Sequence, residues 1–193
     1  MSNSNDTMVS QLLTLSRSTI PNQRIAAIEA LGNVGGERAV DRLLTLSRST
    51  IPNQRIAAIE ALGNVGGEKA VDRLLTLSRS TIPNQRIAAI EALGNVGGEK
   101  VVDRLLTLSR STIPNQRIAA IEALGNVGGE KAVDRLLTLS RSTIPNQRIA
   151  AIKALGNVGG EKAVDRLLTL SRSTIPNQRI AAIEALSKAK NFK

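Results

Sequence analysis

The side chains of this chain that could take part in catalysis recur at a fixed spacing instead of forming one unique cluster. Ser, Thr, Asp, Glu, Lys and Arg are present, whereas His and Cys are absent from all 193 residues. Thiolate chemistry and the usual zinc ligation are therefore excluded, and no Ser or Thr has an evident activating base. We predict a protein that is not an enzyme, with no metal site and no cofactor.

Two features resemble elements of active sites, but their context predicts structural roles. Gly97-Gly98 has no preceding strand and no following Lys-Ser or Lys-Thr, so it predicts a connector between helices and not a phosphate-binding loop. Glu91 is predicted to face an open groove, where desolvation cannot easily raise its pKa.

These residues belong to a sequence of 31 residues, AVDRLLTLSRSTIPNQRIAAIEALGNVGGEK, that recurs along nearly the whole chain. Each repeat predicts two helices. The first is expected from about Glu68 to Arg79, and the second from near Pro83, because proline suits a first helical turn. Gly94-Asn95 is predicted to stop the second helix, since both residues tolerate left-handed geometry. One such pair cannot bury its apolar faces alone, so neighbouring pairs must stack.

The predicted fold class is all-α, an α/α superhelix of six 31-residue helix–turn–helix repeats. A disordered tail is expected over 1–7 and a second tail over 191–193. A single solenoid is expected over 8–190. Its repeats are predicted at about 8–37, 38–68, 69–99, 100–130, 131–161 and 162–190.

Both ends of the array depart from the repeat. In the first repeat, Ser10 and Gln11 replace the residues that correspond to Asp41 and Arg42. In the last repeat, residues 187–190 read Ser-Lys-Ala-Lys, where the preceding repeat has Gly-Asn-Val-Gly at 156–159. We expect the ends to act as caps and the last helix to continue to about Lys190. The protein is expected to be a monomer.

The run PNQRIAAIEALGNVGGEKAVDRLLTLSR resembles the HEAT-like repeat of the phycobilisome-lyase type. That repeat reads roughly Pro-x-x-Arg-x-x-Ala-x-x-Ala-Leu-Gly-x-x-Gly-x-x-x-Ala-Val-x-x-Leu. The resemblance implies a solenoid whose second helices line a concave face. The near-identity of the repeats also resembles cyanobacterial repeat proteins, including regulators of cell differentiation. In this chain Ile51 and its copies occupy the place before Pro where the family often has Asp.

A polar strip is predicted along the second helices, where Asn84, Glu91 and Asn95 fall on one narrow arc. It is expected to bind a basic or polar protein segment, the alternative being a solvated face without a ligand. The predicted binding residues are Asn53, Glu60, Asn64, Asn84, Glu91, Asn95, Asn115, Glu122, Asn126, Asn146, Lys153 and Asn157.

A second set of repeated residues is predicted to be structural. Arg86 falls within the apolar arc, which suggests an arginine ladder that binds carbonyl groups at the end of the first helix. Ligand contact is the alternative. The ladder consists of Arg24, Arg55, Arg86, Arg117, Arg148 and Arg179.

The formal net charge is +10, and it indicates a partner only once the surface that carries it is known. Arg42, Arg73 and their copies are predicted to point outward from the first helices. Such a basic surface could bind nucleic acid non-specifically, but acidic residues interleave with it and no aromatic ring is available for base stacking.

The preferred prediction is a non-enzymatic scaffold or regulator that binds a protein or peptide on its concave face. The resemblance to cyanobacterial repeat proteins implies a regulatory role in a cyanobacterium as one form of this function. Nucleic-acid binding by the convex face and a subunit related to phycobilin lyases are the alternatives. A designed or recently expanded array without a ligand is a further one. No signal peptide or membrane segment is expected, and a cytoplasmic location is predicted.

Overall fold

The chain folds into α-helices throughout the part that the structure describes. A computed structural model describes the backbone of residues 2–189 and the side chains of residues 4–189. No strand occurs within these residues, and consecutive helix pairs pack as repeats, which confirms the predicted all-α solenoid class. The chain divides into two compact units, Met1–Val96 and Gly97–Lys193.

The first unit contains three helix pairs. In each pair a first helix is followed by a second helix that begins at proline. The helices are α1 (Ser2–Leu15), α2 (Pro21–Val34), α3 (Glu37–Leu46), α4 (Pro52–Val65), α5 (Glu68–Leu77) and α6 (Pro83–Val96).

The second unit also contains three helix pairs of this kind. Its helices are α7 (Glu99–Leu108), α8 (Pro114–Val127), α9 (Glu130–Leu139), α10 (Pro145–Val158), α11 (Glu161–Leu170) and α12 (Pro176–Lys188). The first helix of each repeat ends at the leucine two residues before the predicted arginine. In both units the chain continues through a short turn into the connector.

Within each unit the helices form two layers. Each second helix packs extensively on the next second helix, as α2 does on α4 and α8 on α10, whereas consecutive first helices touch much less. The closer spacing of the second helices places them on the inside of each unit's curvature. The first helices form the outer layer.

The core between the layers is made of aliphatic side chains. In the first unit Leu43 and Leu74 of the first helices are fully buried together with Ile59 and Leu62 of α4. Each such side chain contributes about 1.5–3 kcal/mol when it leaves water. Alanines fill the remaining positions of the second helices, as Ala58 and Ala61 do.

A glycine inside each second helix allows the neighbouring helix to come close. A Cβ placed on Gly63 would lie 2.8 Å from the Cβ and 2.9 Å from the Cα of Ala92 on α6. Gly32 has the same relation to Ala61, and in the second unit Gly125 and Gly156 meet the equivalent alanines at 2.7–2.9 Å. Side-chain carbons do not approach backbone this closely, so only glycine fits.

The prediction that Gly94-Asn95 stops the second helix is wrong. The helix continues through both residues to Val96. In the preceding repeat the chain reverses at Gly66 and Gly67, which have φ values of 66° and 82°. The amide of Gly66 donates to the carbonyl of Leu62 over 3.1 Å, which closes the last turn.

The N-terminal prediction is also corrected. Helix α1 begins at Ser2, within the predicted tail 1–7, and not near Met8. Ser4 and Asn5 stand where the other repeats have their Gly-Gly turn, so no left-handed reversal interrupts the helix. At the other end α12 ends at Lys188, and Lys190 and the predicted tail 191–193 lie outside the described residues.

We expect Gly63→Ala to lower the free energy of unfolding by about 1–2 kcal/mol. The added methyl group would overlap the backbone of Ala92, which cannot turn aside, so the overpacking cost lies in the upper part of the usual range, at about 2–3 kcal/mol. The helix preference of Ala over Gly offsets about 1 kcal/mol of this cost. Urea denaturation followed by circular dichroism measures the change. The matched control is Ser187→Ala at the equivalent place in the last repeat, which should change stability by less than ~0.5 kcal/mol. Equal stability of Gly63→Ala and wild type would contradict the packing argument.

Candidate functional site

The polar residues of the second helices lie on one exposed strip in each unit. In the first unit Asn53, Glu60 and Asn64 on α4 are exposed, as are Asn84, Glu91 and Asn95 on α6. The residues between them on the helix are mostly buried. We call the exposed Asn and Glu positions of α2, α4 and α6 the unit 1 strip. It includes Asn22, Glu29 and Asn33.

A shallow groove of about 520 Å³ runs between α2 and α4 along this strip. Glu29 and Glu60 line it, together with Asn22 and Asn53. Neither carboxylate forms an ion pair within the part of the chain that the structure describes. The two acidic groups of this groove are therefore available to a ligand.

The floor of this groove is partly apolar. Ile25 and Ile56 are half-buried and line it beside Ala26 and Ala57. These isoleucines therefore lie at the boundary between the core and the groove.

The second unit carries an equivalent strip with a different charge pattern. Asn115 and Asn146 are exposed near the starts of α8 and α10. A hollow of about 300 Å³ follows, lined by Glu122 and Asn126 of α8, Lys153 and Asn157 of α10, and Glu184 and Lys188 of α12. Within the described residues Lys153 forms no salt bridge with either carboxylate. A single substitution thus makes this strip mixed in charge.

The arginine ladder is held by the connectors. Arg55 Nη1 donates to the carbonyl of Ser49 over 2.6 Å, and the other five arginines make the same bond at 2.6–2.9 Å. The acceptor lies three residues beyond the end of α3, and not at the helix end as predicted. Each bond stays within one repeat, so these arginines fix the connector between the two helices of a pair.

A different arginine connects neighbouring repeats. Arg73 Nε donates to Ser47 Oγ over 2.9 Å and its Nη2 to the Ser47 carbonyl over 3.2 Å. The same pair of bonds joins Arg42 to Ser16, Arg135 to Ser109 and Arg166 to Ser140. The predicted outward-pointing row is therefore wrong for these four residues, because the buried serine ending each first helix draws them inward. Burial, followed by repulsion from Arg48, lowers the pKa of Arg73.

The outer lysines are also engaged across repeats. Lys69 Nζ lies 3.2 Å from Asp41 Oδ1 and 3.6 Å from Glu37 Oε1. In the second unit Lys131 and Lys162 make the equivalent pairs at 3.2–3.8 Å. The hydrogen bond to Asp41 is the main cause that raises the pKa of Lys69. These exposed pairs contribute little to stability individually, but they occupy basic groups of the outer surface.

The repeat pattern matches a known family model along almost the whole chain. The model for HEAT repeats matches residues 5–82, 46–112, 76–145 and 136–191. The chain belongs to the HEAT-repeat family. No curated protein matches its sequence.

Several solved structures share the fold of this HEAT array. The complex of CpcE and CpcF of phycocyanin lyase from Nostoc sp. PCC7120 is 21% identical, with 94% of this chain and 81% of that chain covered and a TM-score of 0.63. Human deoxyhypusine hydroxylase is 18% identical, with coverage of 94% and 84% and a TM-score of 0.53. A designed armadillo repeat protein in complex with the peptide (KR)4 is 16% identical, with coverage of 93% and 98% and a TM-score of 0.52.

Five of the second helices in the HEAT array, α2, α4, α8, α10 and α12, begin without a side-chain cap. Ile51 occupies the N-cap position of α4 and its side chain accepts no hydrogen bond. The nearby Ser49 Oγ instead accepts from the amide of Ile51 over 3.1 Å, which orders the connector before the helix. Ile51 is left 46% exposed.

None of the described helices is both long and apolar enough to cross a membrane.

The buried serines were missed by sequence reasoning. No role was predicted for Ser47 and its copies, although a hydroxyl at an otherwise apolar position signals a required hydrogen-bond partner. Ser47 also donates to the carbonyl of Leu44 over 2.8 Å. It therefore links the end of its own helix to the arginine of the next repeat.

We expect Ser47→Ala to reduce the free energy of unfolding by roughly 1–2 kcal/mol, because a charged donor on Arg73 loses its acceptor. Ser171→Ala is the matched control, since Ser171 donates to the carbonyl of Leu168 over 2.8 Å in the same way but accepts no arginine hydrogen bond within the described residues. Thermal and urea unfolding of the two variants measure the difference. Equal losses from Ser47→Ala and Ser171→Ala would show that the inter-repeat bond contributes nothing.

Proposed function

We propose that this HEAT-repeat protein is a non-enzymatic scaffold that binds a protein segment carrying basic side chains on the unit 1 strip. The observation that supports this most directly is the groove between α2 and α4. It combines two carboxylates without an ion pair, Glu29 and Glu60, with a partly apolar floor.

Each part of the groove matches a different part of a peptide. The carboxylates attract Lys and Arg side chains, and Arg can bind a carboxylate through two parallel hydrogen bonds. Ile25 and Ile56 can cover the methylene stems of those side chains. The amides of Asn22 and Asn53 offer donors and acceptors to the peptide backbone. Repetition of these groups on successive helices lets weak contacts add along one segment.

Charge distribution favours the unit 1 strip. The residues of unit 1 include 10 basic and 8 acidic side chains, whereas those of unit 2 include 16 basic and 8 acidic ones. A positively charged ligand therefore meets less repulsion at unit 1. Lys153 and Lys188 add positive charge to the hollow of unit 2 itself.

The proteins of similar fold support a binding role. One is a complex of two proteins, CpcE and CpcF, and another is a designed armadillo protein with the peptide (KR)4. Nucleic-acid binding by the outer surface has less support, since four arginines of the first helices bind serines of the preceding repeat. The roles of a lyase-related subunit and of a cyanobacterial regulator have no specific observation at the site in their favour.

The test uses a fluorescent peptide of four Lys-Arg repeats. We expect Glu29→Lys/Glu60→Lys to weaken its binding at least tenfold at about 150 mM salt, because two attractive contacts become repulsive. Fluorescence anisotropy with purified protein gives the dissociation constants. A labelled single-stranded DNA measured in parallel shows whether an anionic polymer binds better.

The matched control is Glu68→Lys/Glu161→Lys. Both residues are exposed at the first positions of α5 and α11, away from the strips, and the change in net charge is the same. We expect binding within about twofold of wild type. Equal weakening by both double variants, or a wild-type protein that binds DNA but not the peptide, would refute the proposal.

A gain of binding is expected at the second unit. Lys153→Glu places three carboxylates on α8, α10 and α12, with Glu122 and Glu184 on either side. We expect the same peptide to bind about three to ten times more tightly, as one to two new charge contacts would provide. Lys100→Glu, an exposed change on α7 with the same net charge, is the control. No gain beyond the control would indicate that the strip of unit 2 does not bind the peptide.

A further inference from the structure

The connectors inside the repeats carry exposed isoleucines along one edge of each unit. Every connector joins the end of a first helix to the start of a second helix, so the connectors of a unit lie on the same side of it. Ile51 and Ile82 in unit 1 are each 46% exposed, and Ile113 and Ile144 in unit 2 are 45% and 47% exposed. Four consecutive residues are exposed around each of them, as over 50–53. Each isoleucine therefore lies at a projecting tip.

Folding does not favour isoleucine at this position. Ile51 is the N-cap residue of α4, with φ −82° and ψ 113°, and its side chain forms no cap hydrogen bond. The same is true of Ile113 and Ile144. Ser, Thr, Asn and Asp stabilise a helix start from the N-cap, whereas isoleucine is among the least favourable residues there. The stability of the helices thus does not account for these exposed aliphatic side chains.

The same edge carries exposed arginines. Arg48 and Arg79 lie three residues before the isoleucines of their connectors, and their side chains form no hydrogen bond or ion pair within the described residues. In unit 2 the side chains of Arg110 and Arg141 bond only to a carbonyl of the preceding helix. We call these arginines and isoleucines the connector edge, which consists of Arg48, Ile51, Arg79 and Ile82 in unit 1 and of Arg110, Ile113, Arg141 and Ile144 in unit 2.

The carboxylates of each repeat lie away from the connector edge. In the second repeat Asp41 lies five residues before the end of α3 and Glu60 lies eight residues after the start of α4. These separations are about 8 and 12 Å along the helix axes. The guanidinium groups of Arg55 and Arg73, by contrast, bind serines of the connector itself. The positive charge of each unit is therefore concentrated at this edge, which suits an anionic partner.

The aliphatic tips decide the class of that partner. The phosphate backbone of a nucleic acid covers no aliphatic side chain, and its bases stack on aromatic rings, which are absent from the described residues. A folded acidic protein would need an apolar hollow for each tip at the same spacing. The interface of a lipid bilayer is fluid and accepts tips at any spacing, and anionic headgroups above acyl chains supply both negative charge and an apolar layer.

We propose that the connector edge of each unit binds the surface of an anionic lipid bilayer. The isoleucines enter the interface between headgroups and acyl chains, and the arginines bind the lipid phosphates. This is a contact with the membrane surface and requires no spanning helix. The connector edge shares no residue with the unit 1 strip, so binding at one surface can be lost while binding at the other is kept.

Co-sedimentation of the full-length chain with vesicles tests the proposal. At about 150 mM salt we expect wild type to bind phosphatidylcholine vesicles with about 30% phosphatidylserine at least tenfold more tightly than vesicles of phosphatidylcholine alone. Serine at the four isoleucine positions keeps the net charge and should weaken binding at least tenfold, whereas leucine should bind within about threefold of wild type. The variants are Ile51→Ser/Ile82→Ser/Ile113→Ser/Ile144→Ser and Ile51→Leu/Ile82→Leu/Ile113→Leu/Ile144→Leu.

The serine variant also separates lost binding from lost folding. Serine at the N-cap accepts a hydrogen bond from the first helical turn, so this variant should melt at or above the wild-type temperature when followed by circular dichroism.

The arginines are tested against lysines that lie at the other end of the first helices. Removal of the four connector-edge arginines should weaken vesicle binding at least tenfold. Removal of the same charge from exposed lysines at the second positions of α5, α7, α9 and α11 should leave binding within about threefold of wild type. The two variants are Arg48→Gln/Arg79→Gln/Arg110→Gln/Arg141→Gln and Lys69→Gln/Lys100→Gln/Lys131→Gln/Lys162→Gln.

Three results would overturn the proposal. The first is unchanged vesicle binding by the serine variant, and the second is equal weakening by the arginine and lysine variants. The third is a wild-type protein that does not bind the anionic vesicles, whether or not it binds a labelled single-stranded DNA or a peptide of glutamates.

Discussion

The approach of one second helix to the next, backbone against backbone, determines the spacing of the inner layer in each unit. At Gly63 no side chain separates α4 from α6, and the Cα of Ala92 takes the place that a Cβ would need. Helices that come this close leave little room for large side chains nearby. The core is accordingly made of Leu, Ile, Val and Ala, and the single Phe of the sequence stands in the C-terminal residues 190–193. The outer helices, which lack this contact, are further apart and are joined by polar links.

The polar links divide into two groups that act at different scales. Arg55 and its copies hold the connector within a repeat, whereas Arg73 and its copies hold one repeat to the previous one. Both use a fixed serine carbonyl as acceptor. Four arginines of the first helices are thereby bound within the fold, whereas Glu29 and Glu60 of the unit 1 strip form no ion pair within the described residues. The unit 1 strip thus differs in sign from the net charge of the chain.

The sequence alone predicted the helix pairs, their proline starts and the exposed strip, because these depend on local propensity and on a helical period. It failed where a residue has two possible structural uses. Gly94 reads as a helix stop, since glycine followed by asparagine tolerates left-handed geometry, but the helix continues to Val96. At the equivalent Gly63, only the position of the adjacent helix shows that the glycine serves a close contact. Arg73 reads as solvent-exposed on a helical wheel, because its partner Ser47 lies 26 residues earlier in the chain.

The guanidinium groups of the connector arginines leave one atom without a partner. The Nε atoms of Arg24, Arg55, Arg86, Arg117 and Arg148 are buried and make no hydrogen bond, and a buried donor in this state is unfavourable. In a protein of unique sequence this would be one local defect. An array that grows by copying a repeat reproduces the defect with every copy, together with the contacts that stabilise it. Each added repeat therefore brings the same favourable and unfavourable contributions, and one change made in every repeat would alter the stability of the protein several times over.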